Sequence, residues 1–206
     1  LCHFPKLRYV VSDLSRGLIK GVQLSGHLLH QGDLFHFFRD VGRTTQRLER
    51  HLQRLLKEEN DAWDKWCDGL VYTKTLEKVL ARSNTFLAQM EQYYQAIERL
   101  SDAFWPMTED GDLLTERQAR QIIADVVQRF SALQAVLGLK SLMKRVRNAQ
   151  DHCLAYLREI SYQLGRLVED LPETLPIEKN QFLRLAIEDV CLRYAFSQGA
   201  QVHREY

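Results

Sequence analysis

The sequence is short of residues that break or turn a chain. It has four prolines and ten glycines in 206 residues, with abundant Leu, Arg, Glu and Gln. That balance excludes an all-β or low-complexity chain and points to a mainly helical protein. No apolar stretch approaches the roughly 18 to 20 residues a bilayer-spanning helix needs. The N-terminus lacks a basic segment followed by an apolar one, so neither membrane insertion nor export is expected. The four cysteines, Cys2, Cys67, Cys153 and Cys191, stand far apart with no C-x-x-C pair. They make neither a disulfide framework nor a zinc finger, and read as reduced thiols of a cytoplasmic protein. Charge of one sign is lacking too: 28 Lys and Arg stand against 27 Asp and Glu. Any nucleic-acid reading must therefore rest on a local patch. There is no Gly-rich phosphate loop, no Walker lysine and no internal repeat.

What is present begins with a β-branched run. Leu7 to Ser12 (LRYVVS) reads as a short buried strand, ended by Asp13. Ser15 to Gln23 carries Leu18, Ile19 and Val22 at helical spacing, and His27 to Asp33 reads as a second strand before a helix starting at Leu34. The intervening helix is long enough for a crossover and too long for a hairpin, so the two strands are expected to be parallel neighbours. From Phe35 onward the period is helical. One stripe runs Phe38, Val41, Thr45, Leu48, Leu52, Leu55 and Leu56, and a heptad-like seam runs Leu76, Leu80, Ser83, Leu87, Met90, Tyr94, Ile97 and Phe104. Thr115-x-x-Gln118 is a capping box for a third long helix that Gly138 should stop. A fourth stripe runs from Leu142 through Cys153 to Leu171, and a last helix starts at Pro176. The fold class expected is mainly α: a short N-terminal βαβ piece, then a long antiparallel helical bundle or hairpin. Residues 1–41 form the first unit, 42–196 the helical unit and 197–206 a tail.

In open α/β sheets, ligands sit at the carboxyl ends of the strands. Asp13 and Asp33 both lie at such ends and are expected to face one space. From position alone, Asp13 reads first as the cap of the helix at residue 15. The stretches "YVVSDLSRGLIKGV" and "GDLFHFFRDVGR" resemble the middle of the catalytic core of bacterial insertion-sequence transposases of the RNase H-like DDE type. In that family one strand ends in Ser-Asp or Thr-Asp, the second acid of the triad. The next strand ends in Cys or Asp, two residues, then His. The resemblance covers about 30 residues and implies a partial RNase H-like sheet, with Asp13 as catalytic acid and metal ligand and Asp33 with His36 as the second motif. Residues 42–196 would be an all-helical insertion domain. It also implies DNA strand cleavage and transfer with Mg2+ ions, transposon-end DNA as partner, and a bacterial, nucleoid-associated location. Two cations need several carboxylates around them. No acid precedes Asp13, and Glu169, Glu173, Glu178, Glu188 and Glu205 lack the setting of the family's final glutamate. The expectation is a central portion of a longer transposase, inactive alone and prone to self-association through an exposed sheet edge.

A basic face, Arg39, Arg43, Arg47, Arg50, Arg54 and Lys57, follows the second strand and is the candidate DNA contact. Lys140, Lys144, Arg145 and Arg147 form a smaller cluster. His27, His30, Asp33 and His36 have metal-like spacing, but they pass from strand into helix and need not converge. Trp63, Trp66 and Trp105 read as packing at helix ends rather than base-stacking platforms. The competing class is a non-enzymatic helical adaptor or scaffold, which explains the balanced charge and long seams but not the β-rich start.

Overall fold

The computed structural model describes residues 9–12, 16–24, 29–108, 110, 112–160, 162, 181 and 185. In chain order the elements are β1 (Tyr9–Ser12), α1 (Arg16–Leu24), β2 (Leu29–Gly32), α2 (Leu34–Cys67), α3 (Thr73–Asp102), α4 (Glu116–Leu137) and α5 (Lys140–His152). The protein is mainly helical, with one two-stranded parallel sheet at its start. Tyr9 pairs with Leu29, Val10 with His30, Val11 with Gln31 and Ser12 with Gly32. β1 and β2 are thus the expected parallel neighbours, with α1 between them in the chain.

Helix α2 runs unbroken for 34 residues out of the sheet, about 50 Å at the α-helical rise. It buries Phe37, Val41, Leu48, Leu55 and Ala62, a spacing dominated by sevens that keeps one stripe against its neighbour. α3 buries Leu76, Ser83, Phe86, Met90, Tyr93, Ala96 and Leu100. This corrects the expected seam, because Leu87 and Tyr94 are 49% and 43% exposed and Leu56 of α2 is 41% exposed. Alternating steps of three and four can be drawn in two phases one residue apart. The phase that wins docks the larger aromatics, with the Tyr93 ring stacked on Phe130 of α4 at 5.8 Å.

α4 starts in the predicted capping box, with both the Thr115 and Gln118 side-chain bonds made, and stops at Gly138. There φ is +62°, a left-handed turn that glycine adopts without a Cβ penalty. In the stripe expected from Leu142 to Leu171, Leu142, Val146, Ala149, Cys153 and Leu157 are buried, but the helix that carries it is interrupted: α5 ends at His152, Cys153 caps it, and residues 155–160 are helical again. The predicted helix from Pro176 and the tail 197–206 lie outside the described residues, apart from Gln181 and Leu185, which are helical.

α3 packs between α2 and α4, while α5 packs on α4 and returns to α2 and β2. One apolar core results, with Tyr93, Ala96, Leu100, Ile123, Val126, Phe130, Leu139 and Val146 wholly excluded from solvent. The sheet meets this body through a polar link. Buried Gln31 donates Nε2 to the Cys153 carbonyl at 2.9 Å, and its Oε1 accepts from the Tyr156 N–H at 3.0 Å. No described helix is long and apolar enough to cross a membrane.

Candidate functional site

The junction of β2 and α2 is built by local hydrogen bonding. Asp33, in extended backbone, caps α2: its Oδ1 accepts from the Phe35 N–H at 2.8 Å and Oδ2 lies 2.6 Å from His36 Nδ1. With the carboxylate ionised, Nδ1 carries the proton and donates. Burial pushes the Asp33 carboxyl up. Hydrogen bonds from His36 and from the Phe35 and His36 backbone outweigh it and hold the carboxyl below its ordinary 3.8. The D-x-x-H stretch therefore forms a compact cap, and both carboxylate oxygens already have partners. Asp33 fits that role better than a Mg2+ ligand. Among the described residues, no group of three or more His, Cys, Asp or Glu side chains is placed to hold a metal ion. Of the residues with metal-like spacing, His30 and His36 meet different partners. His36 turns to Asp33, the His30 ring meets His152 edge-on at 5.7 Å, and His27 lies outside the described residues.

Asp13 also lies outside the described residues, so its side chain and its expected shared space with Asp33 are not described. Its place in the chain is informative nonetheless: Ser12 pairs with Gly32, and these residues immediately precede Asp13 and Asp33.

Below this junction the environment is apolar. Burial, aided by the negative charge of Asp33, pushes the Cys153 thiol up to about 12. Burial also raises the Tyr156 hydroxyl, with Cys153 adding to the shift. Tyr156 donates to the Phe104 carbonyl. These groups stay protonated near neutral pH and act as packing.

The basic face is laid out along α2, and its six side chains are all solvent-exposed. Three have neutral partners. Arg47 reaches the Leu137 and Gly138 carbonyls at 3.2 and 3.4 Å, satisfying acceptors that the end of α4 leaves open. Arg50 donates to the Gln46 carbonyl and Arg54 lies against His51. Asp40 sits between two arginines, Arg43 at 3.3 Å and Arg145 of α5. It thereby joins the α2 stripe to the second basic cluster, where Lys140, Lys144 and Arg147 are also exposed. An open groove lined by Asp40, Arg43, Thr44, Arg47, Ser141 and Arg145 marks the seam. Sequence reading had kept these two clusters separate, and the acid between them gave no signal because Asp40 looks like one more charge on a solvated face. Gln31 was missed for a similar reason: a glutamine inside a strand carries no motif.

Comparison of the chain with protein-family models, with curated proteins and with solved structures finds no match.

Proposed function

We propose that this chain carries the central part of a DDE-type transposase. In this reading β1, α1 and β2 belong to an RNase H-like sheet, and α2 to α5 form an antiparallel helical insertion. The observation that carries it is the β1–β2 register: the residues that follow the paired strand ends are the two acids the family resemblance picks out. The order of cross-helix partners supports the antiparallel insertion. Thr45 and Glu49 meet Tyr93 and Tyr94 at 2.9 and 2.8 Å, while Glu58 and Glu59, further along α2, meet Arg82 and Ser83, further back in α3. Asp13 is the one triad carboxylate assigned in this chain and would be a Mg2+ ligand in the intact enzyme. Asp33 and His36 fix the turn from β2 into α2.

The exposed stripe from Arg39 to Lys57 spans about 27 Å, long enough to follow several phosphates of a duplex. Binding of that kind weakens with salt, by a slope of about 0.9 per neutralised phosphate. The test is incubation of the protein with labelled duplex DNA in Mg2+ or Mn2+, alongside Asp13→Ala and an Arg43→Ala, Arg50→Ala double variant. Expected are salt-sensitive binding, a loss of binding in the double variant, and no strand cleavage. Absence of duplex binding at low salt would remove DNA as partner. Cleavage by wild type that disappears in Asp13→Ala would instead show that this chain is catalytic by itself.

One observation favours the adaptor reading. The end of α2 and the following turn expose Trp63, Trp66, Leu70 and Tyr72, the last two 72% and 87% open, an apolar tip suited to a protein partner.

A further inference from the structure

The basic stripe of α2 does not end in neutral surface. Its spacing of threes and fours continues past Lys57 through Asp61, Asp64 and Asp68, so a single exposed face is basic over its first two thirds and acidic at its end. Among the described residues these three aspartates enter no ion pair. The neighbouring acids are used within the chain, Glu58 by Arg82 of α3 at 3.1 Å and Glu59 by Ser83. The order of charge is also the reverse of what an isolated helix favours. The macrodipole prefers acids at the N-terminus and bases at the C-terminus. α2 has no acid in its first turn beyond the Asp33 cap, and Lys65 is the one base in its last.

A stripe of this kind is complementary to itself in reverse. We infer that two copies of this chain associate through α2 with their α2 helices antiparallel, related by a two-fold axis beside Lys57 and Glu58. Arg54 and Arg47 of one copy then stand level with Asp61 and Asp68 of the other, Arg50 comes within one residue of Asp64 beside Lys65, and the reciprocal pairs follow from the symmetry. The opposed dipoles of the two helices favour the same arrangement. Surface ion pairs are individually weak, so the contact rests on several of them acting together along the stripe. The fit also has a natural limit. α2 ends at Cys67, so the second copy's helix stops level with Arg47, where Gly138 and the start of α5 begin to crowd the face. The dimer occupies Arg47, Arg50 and Arg54, so it competes with duplex DNA for this part of the stripe.

Sedimentation velocity over a range of protein and salt concentrations tests it. Wild type is expected to be dimeric at low salt and to dissociate as salt screens the pairs. Two variants reverse the pairing from opposite sides: Asp61→Arg with Asp64→Arg, and Arg50→Asp with Arg54→Asp. Each alone sets like charges against each other and is expected to dimerise about a hundredfold more weakly. Mixed together they restore opposite charges at every altered pair, and the mixture is expected to dimerise like wild type. Circular dichroism checks that each variant keeps its helix content, as substitution of exposed side chains should allow. Arg39→Asp, beyond the paired stretch, is expected to leave the dimer intact. Wild type that stays monomeric at low salt overturns the inference, as does either reversed variant that still dimerises alone, or a folded mixture that does not. Monomeric wild type that binds duplex DNA through these arginines would assign the stripe to nucleic acid instead.

Discussion

The β1–α1–β2 segment and the α2–α5 body are held together by different physics. The body has a core in which eight or more side chains are fully buried, and its helices pack around Tyr93 and Phe130. The N-terminal segment has little of that. Val22 is its one buried apolar side chain among the described residues, and Val11 on β1 is 65% exposed. Its ties to the body include the pair of hydrogen bonds made by Gln31 and the edge-on contact of His30 with His152. A two-stranded sheet is marginal by itself, so its persistence depends on contacts made from β2. The contrast teaches where cooperativity should stop: the helical body is expected to unfold as one unit, and the sheet to open first.

The sharpest way to break that contrast is to damage the body. Phe130→Ala removes a fully buried ring stacked on Tyr93 and is expected to cost about 3 to 5 kcal/mol. Thermal or urea unfolding followed by circular dichroism measures it. A loss of less than about 1 kcal/mol would mean that the core closes over the missing ring, contrary to a jigsaw of packed aromatics.

A smaller effect is expected at the link. Gln31→Ala leaves the Cys153 carbonyl and the Tyr156 N–H without their partner, at a cost of about 1 to 3 kcal/mol. Hydrogen exchange should locate it: amides of β1 and β2 are expected to exchange faster, with those of α3 and α4 unchanged. Uniform acceleration would show that sheet and body are one cooperative unit. Cys153 reports on the same link. Its thiol is buried and pushed up to about 12, while Cys67 is exposed. Alkylation is therefore expected at Cys67 and not at Cys153 in wild type, and at both after Gln31→Ala, as mass mapping would show. The sign of the pH effect follows. A thiol whose folded value lies above its ordinary 9.0 adds stability that is fully present below pH 9.0 and is lost as pH rises towards about 12.

How legible each region was also differs. The strand–helix–strand order, the parallel pairing, the Thr115 capping box and the Gly138 stop were all readable, because each depends on neighbours in sequence. The phase of the α3 seam was not. Leu87 and Tyr94 fit the heptad as well as Phe86 and Tyr93 do, and the choice is made by a ring on α4 that local pattern cannot see. The break at Cys153 is hidden for a related reason: the apolar spacing runs on through residues 153 to 157, and the side chain that bonds the Cys153 carbonyl and the Tyr156 N–H is Gln31, more than a hundred positions away. At the candidate site the residue types were legible and their partners were not. D-x-x-H was read as chemistry, and Asp33 and His36 are seen to satisfy each other. The six bases form one face in the sequence, and Asp61, Asp64 and Asp68 continue it at the same spacing.

The smallest expected effect falls on the boundary between the two regions. Asp33 ends the sheet and caps α2, holding the Phe35 N–H and the His36 ring. Asp33→Ala removes the cap and is expected to cost about 1 kcal/mol, in the lower part of the usual range because the pair is partly exposed and water screens it. Its pH dependence separates a charged cap from mere packing. The folded carboxyl titrates below its ordinary 3.8, so its contribution is present above pH 3.8 and fades as pH falls through the lower folded value. Wild type and Asp33→Ala should therefore differ at neutral pH and converge in acid. Asp33→Asn, which keeps a capping oxygen without the charge, should lie between them at neutral pH and lose the pH dependence. If the Asp33→Ala difference were the same in acid as at neutral pH, the carboxylate charge would have no part in starting α2. The D-x-x-H stretch would then need another explanation.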